Sequence, residues 1–226
     1  MTSPQSAGSA RPNPGQASVL IVRALRRAYP SLPAPVKQMP RRDPFRILVA
    51  AVLSTRTQDP VTARAAGRLF RRARTPAALS RLTPRELERI IYPVGFYRTK
   101  ARLLPVLGRL LRERPDGVPH TMEELLELPG VGRKVANVVL SRAFGLPAIA
   151  VDTHVQRVSN RLGLVRTTRP LNTELTLERI LPRRYRAEWN HLIVALGQTI
   201  CRPAVPRCSV CPVRRSCRRR GVRRSA

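Results

Sequence analysis

Four cysteines near the C-terminal end constrain the fold of this chain more than any other feature. They stand at Cys201, Cys208, Cys211 and Cys217, in the spacing C-x6-C-x2-C-x5-C, and the sequence contains no others. Four thiolates in so short a segment can enclose one metal centre, whereas the disulfides of a secreted scaffold would be spread along the chain. The segment is therefore predicted to fold around a metal centre.

The spacing alone leaves the identity of that centre open. A four-thiolate site suits zinc in ligand number, but a zinc ribbon usually has two CxxC pairs and this chain has one, Cys208–Cys211. Four cysteines also hold iron–sulfur clusters. The spacing favours a cluster slightly over zinc, and both over four free thiols.

The charge of the chain points to a polyanionic partner. The 226 residues include 43 basic and 13 acidic ones, which gives a formal net charge of +30. A field of this sign attracts nucleic acid, although a general surface bias would give the same count. Only Lys37, Lys100 and Lys134 are lysines. Because lysine can lose its proton in a suitable environment and arginine cannot, Lys134 is the foremost candidate for amine chemistry, while Lys37 is predicted to be a surface residue.

Helical patterns dominate the chain. Apolar residues recur at helical spacing, and neither an alternating strand pattern nor a short repeat is present. Thr75-Pro76 and Thr83-Pro84 each place a capping residue before a proline at the first helical position, and the segment from Pro30 to Pro40 is predicted to be a linker. The fold class is therefore predicted to be all-α. The longer predicted helices are 18–29, 44–53, 59–72, 103–114, 122–128, 134–144, 153–162 and 187–200.

The N-terminal stretch is rich in proline, serine, glycine and alanine and lacks the apolar segment of a secretory signal. No apolar run reaches the roughly 18 residues of a membrane span. We therefore expect a disordered tail over residues 1–17 and a cytoplasmic protein that does not enter membranes.

Residues 128–136 read Leu-Pro-Gly-Val-Gly-Arg-Lys-Val-Ala. The two glycines allow a tight turn between helices, and the amides of such a turn at a helix N-terminus can bind a phosphate oxygen. This is a helix–hairpin–helix signature, although the same residues could simply join two core helices. Residues 94–101, Val-Gly-Phe-Tyr-Arg-Thr-Lys-Ala, are interpreted as a second, degenerate hairpin. The predicted DNA-contacting residues of the first turn are Pro129, Gly130, Val131, Gly132 and Arg133.

The next helix opens with Val-Asp-Thr-His, in which Asp152 alone would be an ordinary N-cap and His154 a hydrogen-bonded structural residue. The order of LPGVGRK, VDTH and the cysteine array, however, resembles the endonuclease III family of DNA glycosylases over roughly residues 20–217. The array resembles the [4Fe–4S] ligand pattern of that family and its adenine-glycosylase relatives. The resemblance implies a [4Fe–4S] cluster held by the four cysteines, and Arg56, Gln58 and His154 are predicted to contact DNA.

The resemblance also implies a reaction. Lys at position 134 marks the bifunctional branch, in which the amine attacks C1′ of the damaged nucleotide and forms a Schiff base that permits β-elimination. Asp152 would help to deprotonate the amine and stabilise the cationic sugar, and Arg133 would lower the pKa of Lys134. We therefore expect a base-excision-repair glycosylase with AP lyase activity on oxidised pyrimidines. It would be a bacterial, nucleoid-associated monomer acting on double-stranded DNA with damaged bases or abasic sites.

Base excision requires the damaged nucleotide to leave the duplex, and two loops are expected to fill the gap. In 54–59 the chain departs from the family pattern, because Arg56 stands where Gln is usual and Gln58 follows two residues later. In 95–97, Phe96 offers an aromatic wedge beside Tyr97. An arginine in the gap can still hydrogen-bond the orphaned base, so the departure bears on lesion preference more than on reaction type.

We predict two domains: a six-helix barrel over residues 37–146, and an iron–sulfur domain built from 18–36 and 147–226. The basic C-terminal run, 218–224, is predicted to be a flexible phosphate-binding or solubilising tail. Three alternatives remain: a monofunctional mismatch glycosylase of the same fold, a non-catalytic DNA-binding protein with a four-cysteine zinc site, and a divergent paralogue with weak activity.

Overall fold

The computed structural model describes residues 13–38, 40 and 43–226, and every regular element in these ranges is helical, which confirms the all-α fold class. None of the described helices is long and apolar enough to cross a membrane. The helices are α1 (Pro14–Ala28), α2 (Pro44–Ser54), α3 (Asp59–Arg72), α4 (Pro76–Ser80), α5 (Pro84–Ile91), α6 (Tyr97–Glu113), α7 (Met122–Glu127), α8 (Arg133–Ala143), α9 (Thr153–Leu162), α10 (Pro170–Ile180) and α11 (Arg183–Thr199).

Local capping chemistry sets where several helices begin. Asp43 accepts a hydrogen bond from the Arg46 amide at 3.0 Å, and Thr75 accepts one from the Ala78 amide at 3.2 Å. Thr83 forms a reciprocal capping box with the third residue of its helix. Each cap precedes a proline at the first helical position, where its missing N–H costs nothing. These starts are therefore readable from sequence, as predicted.

Three other starts were predicted too late, and one is that of α11, which begins at Arg183 rather than residue 187. Helix α1 begins at Pro14 rather than residue 18, because Asn13 and Gln16 form a capping box; the predicted disordered tail is wrong for residues 14–17, and residues 1–12 lie outside the described ranges. Helix α6 begins at Tyr97 rather than residue 103 and continues through Pro105.

Helix α10 was not predicted at all. The residue before it, Arg169, provides no side-chain cap, and its buried positions include Thr173 and Glu174 beside Leu177. A buried face that contains a hydroxyl and a carboxylate gives no apolar periodicity.

The proline-rich linker is packed rather than extended. Two short 3₁₀ turns, Tyr29–Ser31 and Pro35–Gln38, bury Val36 and its apolar neighbours. The ammonium of Lys37 donates to the Pro30 carbonyl at 2.9 Å and lies 5.0 Å from the centre of the Tyr29 ring.

Buried side chains form two separate clusters. One draws on α2 to α8 and extends from Phe45 to Ala150, and the other combines α1 and the linker with residues 149–213. The boundary between the clusters falls close to residues 37 and 147. This supports the division into two domains, which stays a prediction.

Polar contacts join the two clusters. The Asn190 side-chain amide donates to the Ala150 carbonyl at 2.9 Å. Gln198 on α11 donates to the Asp59 carboxylate at the start of α3, and its own carbonyl accepts from the Val36 amide at 3.1 Å. One helix of the second cluster is thereby bound to the linker and to the first cluster.

The C-terminal run is folded against the cysteine segment, so the prediction of a flexible tail is wrong. The Arg218 and Arg220 amides donate to the Leu162 and Arg161 carbonyls at 3.2 and 3.0 Å. The Ala226 amide donates to Pro206 at 3.0 Å. A run of arginines suggested a solvated tail, but the backbone makes these hydrogen bonds, the Arg218 side chain packs against Gly163, and Val222 lines the cysteine cavity.

Candidate active site

Lys134 is the second residue of α8 and lies against the C-terminal end of α2. Its Nζ is 3.3 Å from the Ser54 hydroxyl oxygen, and that hydroxyl donates to the Ala51 carbonyl at 2.8 Å. The serine therefore accepts from the lysine while its own proton is held by the helix. This fixes the direction in which the amine points.

The surroundings of Lys134 lower its pKa below the ordinary lysine value. Burial is the main cause, and Arg142 acts in the same direction, whereas the carboxylates of Asp152 and Asp59 oppose the shift. A lowered pKa increases the neutral fraction of the amine near pH 7, which is the form that can act as a nucleophile.

Arg133 does not have the predicted role. Its guanidinium turns away from its neighbour and binds Glu174 on α10, with Nε and Nη2 at 2.9 and 2.8 Å from one carboxylate oxygen. Glu174 is only 3% exposed. The pKa of Lys134 is therefore lowered by burial and not, as expected from sequence, by Arg133.

Asp152 caps α9, and its carboxylate accepts a hydrogen bond from the Val155 amide at 2.8 Å. The charge of this carboxylate is the largest of the influences that raise the pKa of Lys134. The sequence left an N-cap and a catalytic carboxylate as alternatives for this residue. The structure shows the cap, and the catalytic role stays a prediction.

The LPGVG turn connects α7 to α8. Gly130 adopts φ +78°, which only glycine tolerates easily, and a Cβ there would lie 3.3 Å from a methyl carbon of Leu103. Gly132 precedes α8 and supplies no side-chain cap, so the first amides of α8 keep their donors for another acceptor. Val131 is buried, and Pro129 is partly exposed.

The two side chains predicted to fill the gap left by the extruded nucleotide, Arg56 and Phe96, lie against each other. Arg56 and Phe96 both have left-handed backbones, with φ +50° and +56°, and the guanidinium carbon lies 5.8 Å from the centre of the phenyl ring. Phe96 is 63% exposed. Tyr97, by contrast, begins α6 and packs edge-on against Tyr92 at 5.3 Å, half-buried on the first cluster.

A cleft of about 650 Å³ opens where the two clusters face each other. Arg56 and Gln58 line one side, and His154 and Gly197 line the other. His154 Nδ1 is 3.2 Å from Nη2 of Arg157. A Cβ at Gly197 would lie 2.8 Å from His154 Nδ1, so only glycine at this position lets α11 come this close to His154. Three predicted DNA-contacting residues thus share one opening.

The four cysteines line one apolar cavity with about 350 Å³ of space, part of it open to solvent. Burial raises the pKa of the Cys211 thiol to about 11 and that of Cys217 above its ordinary value. Thiolates in this cavity therefore need a positive centre to stabilise them. In the described ranges, no three histidine, cysteine or acidic side chains are grouped closely enough for a single metal ion.

Polar contacts hold the cysteine segment in place. Arg157 donates to the Cys201 carbonyl at 3.0 Å, and an Arg161 nitrogen is 3.7 Å from the Cys201 sulfur. The Arg219 amide donates to the Cys217 sulfur at 3.4 Å. These donors would stabilise charged sulfur ligands.

Sequence reasoning missed several of these residues. Ser54 and Glu174 carry no motif of their own, since each is defined by a contact with a residue more than 40 positions away. Arg157 was hidden among 43 basic residues. Glu174 had one usable signal, as an acidic residue in a strongly basic chain.

Comparison with known proteins agrees with this geometry. Residues 49–183 match the family described as HhH-GPD superfamily base excision DNA repair protein. The chain is 46% identical over 194 residues to endonuclease III of Thermotoga maritima, covering 82% of this chain and 91% of that one. It is 41% identical over 178 residues to endonuclease III of Bacillus subtilis, covering 78% and 81%.

The structure is similar to that of a trapped covalent intermediate between endonuclease III and DNA, which contains an estranged adenine. The TM-score is 0.79 at 39% sequence identity, covering 91% of this chain and 96% of the other. The chain belongs to the endonuclease III family of the HhH-GPD superfamily of base excision DNA repair proteins.

Proposed function

We propose that this protein is a base-excision-repair DNA glycosylase with AP lyase activity, and that Lys134 is its nucleophile. The observation that carries the proposal is a half-buried lysine whose amine contacts the Ser54 hydroxyl and has a pKa lowered by burial, within the electrostatic reach of the capping carboxylate of Asp152. The covalent endonuclease III–DNA intermediate among the similar structures supports the same chemistry.

In this mechanism the neutral amine of Lys134 attacks C1′ of the extruded nucleotide and the bond to the damaged base breaks. Asp152 stabilises the positive charge that develops on the sugar and takes up the proton that the amine releases. The sugar ring then opens as the C1′–O4′ bond breaks and O4′ takes a proton, which leaves a Schiff base between C1′ and the lysine nitrogen. This Schiff base acidifies the C2′ hydrogen, so that its loss as a proton and β-elimination break the bond to the 3′ phosphate. Ser54 keeps the amine aligned throughout.

DNA is proposed to bind across the cleft between the barrel and the cysteine domain. The amides at the start of α8 would bind a backbone phosphate, while Arg56 and Phe96 would enter the gap left by the extruded nucleotide. Oxidised pyrimidines in double-stranded DNA are the proposed substrates, since the chain is similar to endonucleases III over most of its length. The protein would act as a monomer on DNA in the cytoplasm.

The four cysteines are proposed to hold a [4Fe–4S] cluster. They share one cavity, burial raises the pKa of the Cys211 and Cys217 thiols, and an arginine side chain and a backbone amide donate to the Cys201 and Cys217 sulfurs. Bound there, the cluster would join α9 and α11 to the C-terminal run and would supply structure rather than chemistry.

An incision assay tests the proposal. A duplex with one oxidised pyrimidine is incubated with the protein, and half of each sample is treated with alkali to cut any abasic site. We expect strand cleavage without alkali. Cleavage that needs alkali would show a monofunctional glycosylase, and no cleavage in either half, with DNA still bound, would show a non-catalytic protein.

A further inference from the structure

Lys100, on α6, is buried and has no role in the chemistry proposed above. It is 5% exposed, and its ammonium donates to the Leu53 carbonyl at 2.9 Å and the Thr55 carbonyl at 2.6 Å. The Thr57 hydroxyl oxygen is 3.5 Å away, at the outer limit for a hydrogen bond. The hydrogen-bond partners described for it are thus uncharged oxygens rather than a carboxylate.

These three oxygens belong to one short segment, from the end of α2 into the loop that contains Arg56. The last carbonyls of a helix lack intrahelical partners and favour a cation. A three-donor ammonium can serve several of them at once. Lys100 therefore holds the first half of this loop to α6, the helix that begins beside Phe96.

Thr57 connects this loop to the loop of residues 94–96. Its hydroxyl oxygen accepts from the Gly95 amide at 3.1 Å and donates to the Thr55 carbonyl at 3.1 Å. A Cβ at Gly95 would lie 2.2 Å from the Arg56 carbonyl oxygen. The two loops are therefore in direct backbone contact, and only glycine at position 95 permits the approach.

Both exposed wedges at this contact have sparsely populated backbones. Arg56 and Phe96 are non-glycine residues in the left-handed region, which is maintained only where the surrounding structure determines it. Gln58 and Phe96 occupy the N-cap positions of α3 and α6, and neither side chain makes a capping hydrogen bond that would fix the start of its helix. The side-chain contacts of Lys100 and Thr57 join the two loops. The Arg56 guanidinium over the Phe96 ring and the Lys100 amide on the Phe96 carbonyl add to them.

We propose that Lys100 is a positioning residue that acts with Thr57 to hold the Arg56 and Phe96 loops as one rigid wedge for base extrusion. The proposal rests on the proposed glycosylase function and adds a residue pair to it. Neither side chain touches the reacting atoms. Their contribution is to keep both wedges in the entering conformation before DNA binds.

The consequence is a selective defect. A wedge that is ordered in advance matters when a nucleotide must leave a paired duplex, and it matters little when the nucleotide is already unpaired. Misplacing a positioned group by about 1 Å can cost on the order of 100-fold in rate. Loss of the wedge should therefore slow excision of a paired lesion and spare reactions on unpaired or abasic sites.

The experiment compares Lys100→Met, which keeps the aliphatic stem, with Thr57→Val, which keeps the shape of threonine without its hydroxyl. Thr57→Ser keeps the hydroxyl and is the matched control. Single-turnover excision is measured for one oxidised pyrimidine in a paired duplex and in a bulge, and lyase activity is measured on an abasic duplex. Fluorescence of 2-aminopurine beside the lesion reports wedge entry directly.

We expect Lys100→Met and Thr57→Val to lose about 10- to 100-fold on the paired lesion. Thr57→Val should stay within about 2-fold of wild type on the bulged and abasic substrates, because its side chain makes no contact with the reacting atoms. For Lys100→Met the ratio of the paired to the bulged rate is compared with wild type, because the Lys100 charge also acts on Lys134. The 2-aminopurine signal should fall with the paired rate, and Thr57→Ser should behave as wild type. Equal losses on paired and bulged lesions, or no loss at all, would overturn the proposal.

Two further outcomes stay interpretable. If Lys100→Met does not fold, the Thr57→Val and Thr57→Ser pair still decides the question. If the wild-type protein excises no lesion on any substrate, the proposed function fails. The 2-aminopurine signal then tests the wedge alone, and a signal unchanged in Thr57→Val contradicts it.

Discussion

The Arg133–Glu174 ion pair predicts an asymmetric effect of mutation on stability. Glu174 is almost fully buried, with 5% of its side chain exposed, whereas 44% of the Arg133 side chain is exposed. Removing one partner of a buried pair costs about 3–5 kcal/mol when the remaining charge is left buried. In Arg133→Ala that charge is the buried carboxylate, and solvent access on the arginine side reduces the expected cost to about 2–3 kcal/mol.

Glu174→Gln should cost less, although it changes the more buried residue. The arginine that remains can turn into solvent, and the glutamine oxygen can still accept one hydrogen bond, so we expect a cost of about 1 kcal/mol. Arg112→Ala is the control, because the Arg112–Glu113 pair is exposed at both ends and should contribute less than about 0.5 kcal/mol.

Urea unfolding followed by helical circular dichroism measures the free energies of unfolding of these variants. With an m value of roughly 3 kcal/mol per M, Arg133→Ala should move the midpoint by roughly 0.7–1 M. The reasoning is wrong if Glu174→Gln costs as much as Arg133→Ala, or if neither differs from Arg112→Ala. The pair links α8 to α10, so a real loss would also show that the two clusters support each other.

Two further predictions concern the reaction and the cysteines. Because the pKa of Lys134 is lowered, the rate of imine formation with an abasic duplex should increase with pH and level off, with an apparent pKa below 10.5. Asp152→Asn keeps the N-cap but removes a charge that raises the pKa of Lys134, so the midpoint of this pH profile should move to a still lower pH. A rate that is flat or falls with pH would contradict this. Cys211→Ser should remove iron and visible absorbance from the purified protein and lower its thermal stability, and a variant that keeps its full iron content would contradict the cluster.

The sequence was informative wherever structure depends on local chemistry. The caps at Asp43, Thr75 and Thr83 act within three residues, and the glycine of the LPGVG turn requires a positive φ at its own position. The cysteines gather because they are close in the chain. Lys134 and Asp152 were found through a resemblance, and the structure adds their surroundings: the serine, the cap and the burial.

What could not be predicted depends on contacts between distant residues. Arg133 follows the hairpin directly, and only the packing of α10 shows that Glu174 binds it. Helix α10 itself lacked a periodic apolar face for the same reason, since its buried side includes that glutamate. In the sequence Lys100 was one of three lysines and a member of the degenerate hairpin, but its role depends on carbonyls 45 to 47 residues away.

Borohydride trapping on a duplex with one abasic site tests the central claim most directly. Wild-type protein, Lys134→Ala and the surface control Lys37→Ala are compared, and peptide mapping locates the reduced bond to DNA. The account predicts adducts at Lys134 with wild type and Lys37→Ala, and none with a folded, DNA-binding Lys134→Ala. An adduct that persists in Lys134→Ala, or the absence of an adduct from wild type that binds the duplex, would contradict the assignment of Lys134 as the nucleophile.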